Sequence, residues 1–283
     1  MPAASTTVRA LLLGPARVLR VVAATPRALY LAPGDARPAA ASAGLVALLA
    51  PDAVRVPFGV VLDAHPGGTT PHLASVAVGD EAVAGDGVLR LCGFAVRPLR
   101  WWDPGVPRVH VVATRVAADL AAHLPSAPPE VVGALPALAN ALRRVATGVA
   151  GSPRADLAAA VRGLVGRGPG LTPTGDDVLA GALCALAATR SAATTRRALA
   201  DTVLPETHRT TPVSAALLGE AVHGRAVPQL VDLLRTLGRP AAAQRVAAAV
   251  AALVGVGHTS GTALGHGLVL GLQAAAPVTR AAA

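Results

Sequence analysis

The sequence predicts an α+β fold, with a small, mainly antiparallel β domain at the amino terminus followed by a compact all-helical domain. In the first hundred residues, short runs rich in Val and Leu are separated by Gly, Pro and Asp, which is typical of strands joined by turns. From about residue 111 the apolar residues recur with the period of a helix. Hydrophobic residues make up 53% of the 283 residues and aromatic residues only 2%, so we expect a large aliphatic core.

The predicted β domain spans residues 1–107 and begins with about fifteen poorly ordered residues. Pro57 lies within one of its apolar runs, and because proline cannot donate to a sheet ladder, we expect that run to form an edge strand. His65 and His72 lie in a Gly- and Pro-rich loop, and two histidines alone do not complete a metal site. A short apolar run is seen at 45–49, and strands are predicted at 18–24, 28–32, 54–63, 73–78 and 88–92.

The predicted helical domain spans residues 108–283, and its boundary with the first domain is expected in the Pro-bounded segment 101–107. Short links and a high content of Ala and Leu are typical of a compact helical domain. Helices are predicted at 112–123, 130–147, 156–165, 176–189, 196–203, 211–222, 228–237, 241–254 and 259–272.

The formal net charge is +9 and the sequence pI is about 11.4, a balance that suits nucleic acid or an acidic surface. All the basic residues are arginines and they are scattered along the chain. There is also little aromatic material on which bases could stack. We therefore expect no nucleic-acid partner, although such a field still favours a small anionic substrate.

The cysteine and apolar patterns predict a cytoplasmic protein that does not enter a membrane. Cys92 and Cys184 are far apart and lack the spacing of metal ligands, which favours reduced thiols. The run 11–13 is too brief for a signal sequence. No stretch approaches the ~18 uninterrupted apolar residues of a membrane helix.

The most distinctive stretch is 166–181, with the sequence GRGPGLTPTGDDVLAG. Its three alternating glycines let the backbone turn and approach another group closely. A helix follows, and either Thr172 caps it with Pro173 at the first position or Thr174 caps it with Asp177 three residues on. Such a loop presents free N–H groups and the positive end of a helix, which suits an anion.

The paired Asp176 and Asp177 fall in the first turn of this helix and permit two interpretations. They could simply stabilise the positive end of the helix, or one could hold a cation such as Mg²⁺ or a substrate N–H beside a bound anion. The loop does not match known nucleotide motifs, because its spacing is G-x-G-x-G and the chain contains no lysine.

Two later helices begin in a similar way, at 210–214 (TTPVS) and at 257–261 (GHTSG). Each brings hydroxyls and free N–H groups to a helix N-terminus, where Ser and Thr also serve as ordinary caps. His258 lies in a glycine loop beside two hydroxyls and is the best acid–base candidate, with a backbone-bonded histidine as the alternative. The sequence has no nucleophile elbow and no H-E-x-x-H motif, so we do not expect a covalent mechanism.

The segment 166–177 resembles the Gly-x-Gly-Pro-Gly-Leu-Thr-Pro-Ser-Gly-Asp-Asp hallmark of a family long catalogued only as a domain of unknown function. That family includes the AllH-type subunit of oxamate carbamoyltransferase. Thr174 stands where serine is usual in the family, which keeps the hydroxyl. The blocks 210–218 and 257–261 resemble later family blocks, and the amino-terminal third matches more loosely.

The resemblance implies a carbamoyltransferase subunit acting in allantoin or purine degradation, or a close relative that acts on small anions. Its reaction would convert carbamoyl phosphate and oxamate to oxalurate and phosphate, or the reverse, together with other subunits. The implied catalytic residues are Asp176, Asp177 and His258, and the two aspartates would also be the ligands of a metal such as Mg²⁺. The implied substrate-binding residues are Arg167, Gly168, Gly170, Thr172, Thr174, Gly175, Thr211, Ser214, Thr259 and Ser260.

Two other functions remain open at this stage. The chain could be a non-catalytic subunit that stabilises a partner carrying the active site. It could also be a small-anion kinase or ligase, although the absence of lysine and of nucleotide motifs counts against that alternative.

Overall fold

A computed structural model describes residues 1–34, 44–63, 73–109, 113–149, 151–239 and 243–275 of the chain. These residues form two compact units, Met1–Pro104 and Gly105–Ala283. The predicted α+β fold is confirmed, since a sheet occupies the first unit and helices occupy the second. His65 and His72 lie outside the described residues.

The first unit contains a mixed nine-stranded sheet. The strands are β1 Ala3–Ser5, β2 Arg17–Thr25, β3 Ala28–Pro33, β4 Val46–Leu49, β5 Gly59–Val61, β6 Glu81–Gly85, β7 Val88–Leu91, β8 Phe94–Val96 and β9 Arg100–Trp102. Their order in the sheet is β8-β7-β6-β2-β3-β4-β5-β1-β9. Of the strand pairs within the described ranges, β4–β5 and β1–β9 are parallel and the others are antiparallel.

Local turn chemistry fixes the β6–β7–β8 meander. Asp86 and Gly87 have φ values of 52° and 78° and connect β6 to β7. Cys92 and Gly93 have φ values of 43° and 80° and connect β7 to β8 in the same way. Positive φ at both central residues is the requirement of the tight hairpin turn whose twist matches that of the strands.

Three predictions for the first unit are wrong. The amino terminus is ordered, with β1, a 3₁₀ turn at Thr6–Val8 and a short helix α1 at Arg9–Leu13. The strand predicted at 54–63 is confined to β5, which lies between β4 and β1 rather than at an edge. It can do so because Pro57 precedes the strand, where its carbonyl accepts a hydrogen bond from Thr7 at 2.6 Å.

The strand predicted at 73–78 is instead a 3₁₀ turn at Leu73–Ser75. Leu73 and Val76 are both buried. Residues three apart lie on the same face of a helical turn, so burying both favours the turn over an alternating strand.

The second unit is helical throughout its regular elements. The helix predicted at 130–147 is broken at Gly133 and Ala134, and Pro129 and Pro136 each occupy the first turn of one half, where proline is tolerated. The described helices are α2 Ala113–His123, α3 Pro129–Val132, α4 Leu135–Thr147, α5 Pro153–Arg162, α6 Thr174–Ala188, α7 Ala193–Val203, α8 Pro212–Val222, α9 Pro228–Leu237, α10 Ala243–Val254 and α11 Ser260–Ala275.

Glycines bring α6 and α11 into backbone contact at the centre of this unit. A β-carbon on Gly181 of α6 would lie 2.1 Å from the carbonyl oxygen of Leu264. One on Gly267 of α11 would lie 1.9 Å from the carbonyl oxygen of Val178. Only a residue without a side chain permits such an approach.

The contacts between these two helices advance in the same direction along both. Thr174 meets Thr259 at one end, Gly181 meets Leu264, and Gly271 meets Ala185 further on. The helices therefore run parallel, and their N-termini lie side by side.

Among the described residues, no single helix is both long and apolar enough to span a membrane. The helical segments Thr174–Ala188 and Arg190–Arg209 are long and apolar enough only when they are taken together, and the chain bends by 117° between them.

Candidate functional site

The N-termini of α6, α8 and α11 converge at one place in the second unit. Thr174 Oγ1, in the first turn of α6, lies 3.5 Å from Thr259 Oγ1, which precedes α11. The hydroxyl of Ser214, in the first turn of α8, donates to Asp176 Oδ2 at 2.7 Å. The positive ends of three helices thus face the same region, which favours negative charge there.

The loop before α6 is held in a backbone conformation that requires glycine. Gly166, Gly168 and Gly170 have φ values of +71°, +113° and +90°. A β-carbon on Gly168 would lie 2.7 Å from Thr174 Oγ1, and one on Gly166 would lie 2.5 Å from the carbonyl oxygen of Arg209. The loop therefore packs tightly over the start of α6, as the alternating glycines predict.

Neither threonine caps α6, contrary to both capping interpretations. Pro173 is the N-cap residue, and no side chain accepts from the first turn. The hydroxyls instead face α11, since Thr172 Oγ1 lies 3.1 Å from Ser260 Oγ and Thr174 pairs with Thr259.

Some of the backbone N–H groups that were expected to be free donate hydrogen bonds within the loop. The amide of Gly175 donates to the carbonyl of Arg167 at 2.8 Å, and that of Asp176 donates to Pro173 at 2.9 Å. Within the described chain, the amides of Gly168 and Gly170 have no hydrogen-bond acceptor. These two amides therefore remain available as donors.

Asp176 is a fully hydrogen-bonded carboxylate, with only 2% of its surface exposed. Its Oδ1 accepts the amide of Gly166 at 2.9 Å, and its Oδ2 accepts the hydroxyls of Ser214 and Thr210. Burial raises its pKa, and the three hydrogen bonds oppose that rise. The side chain thereby ties the glycine loop to the start of α8.

Asp177 is equally deep, at 5% exposed, but its buried Oδ2 has no hydrogen-bond partner among the described residues. The hydroxyl of Ser260 favours the ionised form of this carboxyl. Burial raises its pKa to about 7, the Ser260 bond lowers it and the neighbouring Asp176 raises it. A carboxyl group with a pKa near neutrality can both accept and release a proton at working pH.

Arg167 and His258 are less closely bound to this cluster. Arg167 is exposed, and its Nε donates to the carbonyl of Glu130. His258 is also exposed, and its ring makes no hydrogen bond with any residue that the structure describes. It follows Gly257, whose φ of +63° turns the chain into α11.

The predicted metal ligands are only partly suited to Mg²⁺. No group of three or more His, Cys, Asp or Glu side chains that could hold a metal is found among the described residues. The oxygens of Asp176 already accept three hydrogen bonds, so a Mg²⁺ ion here would depend on Asp177, water and ligand oxygens. Mg²⁺ commonly binds with that combination, so a metal remains a prediction.

The sequence reasoning missed Thr210, whose hydroxyl donates to Asp176. Its neighbour Thr211 is the N-cap of α8, accepting the amide of Ser214 at 3.0 Å and donating to the carbonyl of Leu171. An adjacent Thr-Thr pair needs only one member for the cap, and that surplus hydroxyl is the signal that could have indicated Thr210.

Residues 164–272 match the family of the oxamate carbamoyltransferase subunit AllH. The resemblance noted in the glycine loop is thus confirmed, and the AllH-matching segment contains all three converging N-termini. No curated protein and no solved structure matched the chain.

Proposed function

We propose that this chain is a subunit of a carbamoyltransferase complex that acts on small anionic substrates. The proposal is carried by one observation: three helix N-termini converge inside the AllH-matching segment. They meet around the buried carboxyl of Asp177, whose Oδ2 has no hydrogen-bond partner among the described residues. The family is described as a subunit of an oxamate carbamoyltransferase, so the proposed complex contains other subunits.

The proposed reaction joins carbamoyl phosphate and oxamate to give oxalurate and phosphate, or runs in reverse. In the forward direction the oxamate nitrogen attacks the carbamoyl carbon, the bond to the phosphate oxygen breaks, and the nitrogen loses one proton. All four species carry a carboxylate or a phosphate. Positioning the two reactants and stabilising charge suffices, and no covalent intermediate is needed.

In this proposal the glycine loop and its hydroxyls hold the anionic end of a substrate. The free amides of Gly168 and Gly170 and the hydroxyls of Thr172 and Thr174 supply the donors. The exposed guanidinium of Arg167 adds positive charge near the loop. We place the protein in the cytoplasm, because Cys92 and Cys184 are both free thiols, as is usual in a reducing compartment.

The activity test uses the chain co-purified with the subunits encoded by neighbouring genes. Phosphate release from carbamoyl phosphate should depend on added oxamate. Loss of that release in Asp177→Asn, with the complex intact by size-exclusion chromatography, would support a catalytic role for this chain. Full activity in the variant would favour the alternative of a non-catalytic subunit, and no oxamate-dependent release from the full complex would contradict the proposal.

The binding test measures thermal unfolding of the same complex with phosphate, carbamoyl phosphate and oxamate. A ligand at ~100 times its dissociation constant contributes roughly 2.7 kcal/mol, a rise of about 5–10 °C in Tm for a unit of this size. Gly170→Ala should remove the shift, because its φ of +90° disfavours a side chain although no atom lies within 4 Å of the added carbon. Gly219→Ala is the matched control, since it also meets open space but lies in α8.

A further inference from the structure

A cleft of about 760 Å³ lies between helices α4, α5 and α7 of the second unit. The residues that line it fall within 144–154 and 194–201, so the cleft is distinct from the glycine loop and from the three converging N-termini. Pockets that hold small organic ligands have volumes of roughly 300–1,000 Å³. The cleft is therefore large enough for a metabolite and much larger than a single phosphate ion needs.

Each of the three helices contributes one arginine to the lining of this cleft. They are Arg144 of α4, Arg154 of α5 and Arg197 of α7, and they face one lining carboxylate, Asp201, which lies 3.8 Å from Arg197. The nearby carboxylate of α5, Asp156, pairs with Arg144 at 3.4 Å. Since three guanidinium groups repel one another, their convergence from separate helices favours a bound anion between them.

The backbone at the start of α5 adds to this positive potential. Pro153 is the first residue of the helix, no side-chain hydrogen bond caps it, and within the described chain the amide of Arg154 has no acceptor. Gly151, with a φ of +114°, keeps the turn before α5 close to Arg144, because an added β-carbon would lie 2.9 Å from Arg144 Nη2. A guanidinium group and the positive end of a helix thus lie beside each other.

The remainder of the lining is apolar or can hydrogen-bond to hydroxyl groups. Val145, Val149 and Pro153 form an apolar wall, and 52% of the surface of Val149 is exposed. The hydroxyl of Thr194 and the carboxylate of Asp201 lie on the α7 side. A ligand that fits this lining carries several negative charges, an apolar ring and hydroxyl groups.

We infer that this cleft is a binding site for a nucleoside di- or triphosphate. The forks of Arg154 and Arg197 hold the phosphates, since a guanidinium group matches phosphate oxygens in a bidentate manner. The base lies against Val149 and Pro153, and Asp201 accepts a ribose hydroxyl, as carboxylates do in other nucleotide sites. The ten residues of α5, a length of about 15 Å, separate this site from the glycine loop.

The binding test uses isothermal titration calorimetry on the full chain alone, because partner subunits could bind nucleotides themselves. The ligands are ATP, ADP, pyrophosphate and adenosine. Pyrophosphate engages the arginines without the apolar wall, and adenosine engages the wall without the arginines. We expect one molecule of ATP per chain, bound at least about tenfold more tightly than either fragment.

Substitution of the arginines tests where the nucleotide binds. Arg154→Ala and Arg197→Ala should each weaken ATP binding by about tenfold or more, because each removes a charge-assisted contact to phosphate. Both side chains are exposed, so both variants should fold, which circular dichroism checks. Arg143→Ala is the matched control, since this exposed arginine of α4 bonds to Asn140 and does not line the cleft.

Two further variants separate the cleft from other anion sites. Arg154→Lys keeps the charge but loses the planar fork, so its affinity for ATP should fall between those of the unaltered chain and Arg154→Ala. Gly170→Ala alters the glycine loop and should leave ATP binding unchanged.

The inference would be overturned by an absence of ATP binding at about 1 mM, by pyrophosphate binding as tightly as ATP, or by equal weakening in Arg143→Ala. Loss of ATP binding in Gly170→Ala would place the nucleotide at the glycine loop and would also overturn it. The proposed function does not depend on these results, because oxamate-dependent phosphate release tests it separately.

Discussion

At the scale of single residues, Asp177 should make the stability of the protein depend on pH. Its pKa is about 7 in the folded chain and about 3.9 in an unfolded one. The folded state therefore binds the proton more tightly, and stability is lost as the pH rises from about 4 to about 7. Asp177→Asn should be more stable than the unaltered protein at pH 8 and equal to it near pH 4.

Urea unfolding of both proteins at pH 4.5, 6 and 8 measures this difference. The comparison isolates Asp177 because the other titrating groups are common to both proteins. Parallel pH profiles for the two proteins would show that Asp177 is not held at a raised pKa.

Asp176 should act as a structural link between the glycine loop and the start of α8. Asp176→Ala leaves the donors of Gly166, Thr210 and Ser214 without their acceptor in a buried place. We expect a loss of about 3 kcal/mol or more in the free energy of unfolding. Asp201→Ala removes an exposed ion pair to Arg197 at 3.8 Å and should cost less than about 1 kcal/mol. Similar costs for the two variants would argue against the link.

At the scale of elements, the close packing of α6 against α11 decides where the site forms. Gly181→Ala and Gly267→Ala place a β-carbon about 2 Å from a backbone carbonyl oxygen of the other helix. Because backbone cannot move aside cheaply, we expect each to cost about 3 kcal/mol. Each should also weaken anion binding, since separating the helices separates Thr174 from Thr259.

Gly219→Ala is the control for these two variants. It lies within α8 and its added carbon would meet no atom within 4 Å. Alanine is the better helix former, so the change should stabilise the protein by about 0.5–1 kcal/mol. Thermal unfolding measures all three variants, and a neutral Gly181→Ala would show that the helices are not in contact as described.

At the scale of the whole molecule, the chain is predicted to consist of two domains that meet near residues 101–107. Residues after Pro104 associate with the second unit, where Gly105 pairs with Arg225 and the amide of Val106 donates to Gly224. We expect limited proteolysis to cut first within 101–107 or the Pro- and Ala-rich stretch 33–43, because links between domains and between secondary-structure elements are cut before helices. Mass spectrometry of the early fragments measures this, and a first cut within 175–190 would contradict the two-domain prediction.

Local patterns in the sequence were sufficient for several elements whose physical cause is itself local. Helical periodicity predicts α9 at its observed bounds, Pro228–Leu237, and the Gly and Asp residues around Asp86 mark a turn that the structure also has. The hydroxyl-bearing starts of three helices and the positive φ values of the glycine loop were also evident from a few adjacent residues, although neither threonine caps α6. The AllH signature could also be recognised without the tertiary structure, because it occupies one continuous segment of the sequence.

The tertiary structure decided what depends on residues far apart in the chain. Thr174 and Thr259 meet although they are 85 residues apart, because glycines allow α6 and α11 to touch. The different surroundings of Asp176 and Asp177 follow from the same packing, which directs Thr210 and Ser214 to the first and Ser260 to the second. In the sequence these two aspartates look equivalent, because each is simply an acidic residue in the first turn of α6. Adjacent residues on a helix point in different directions, so the elements packed around α6 determine what each one contacts.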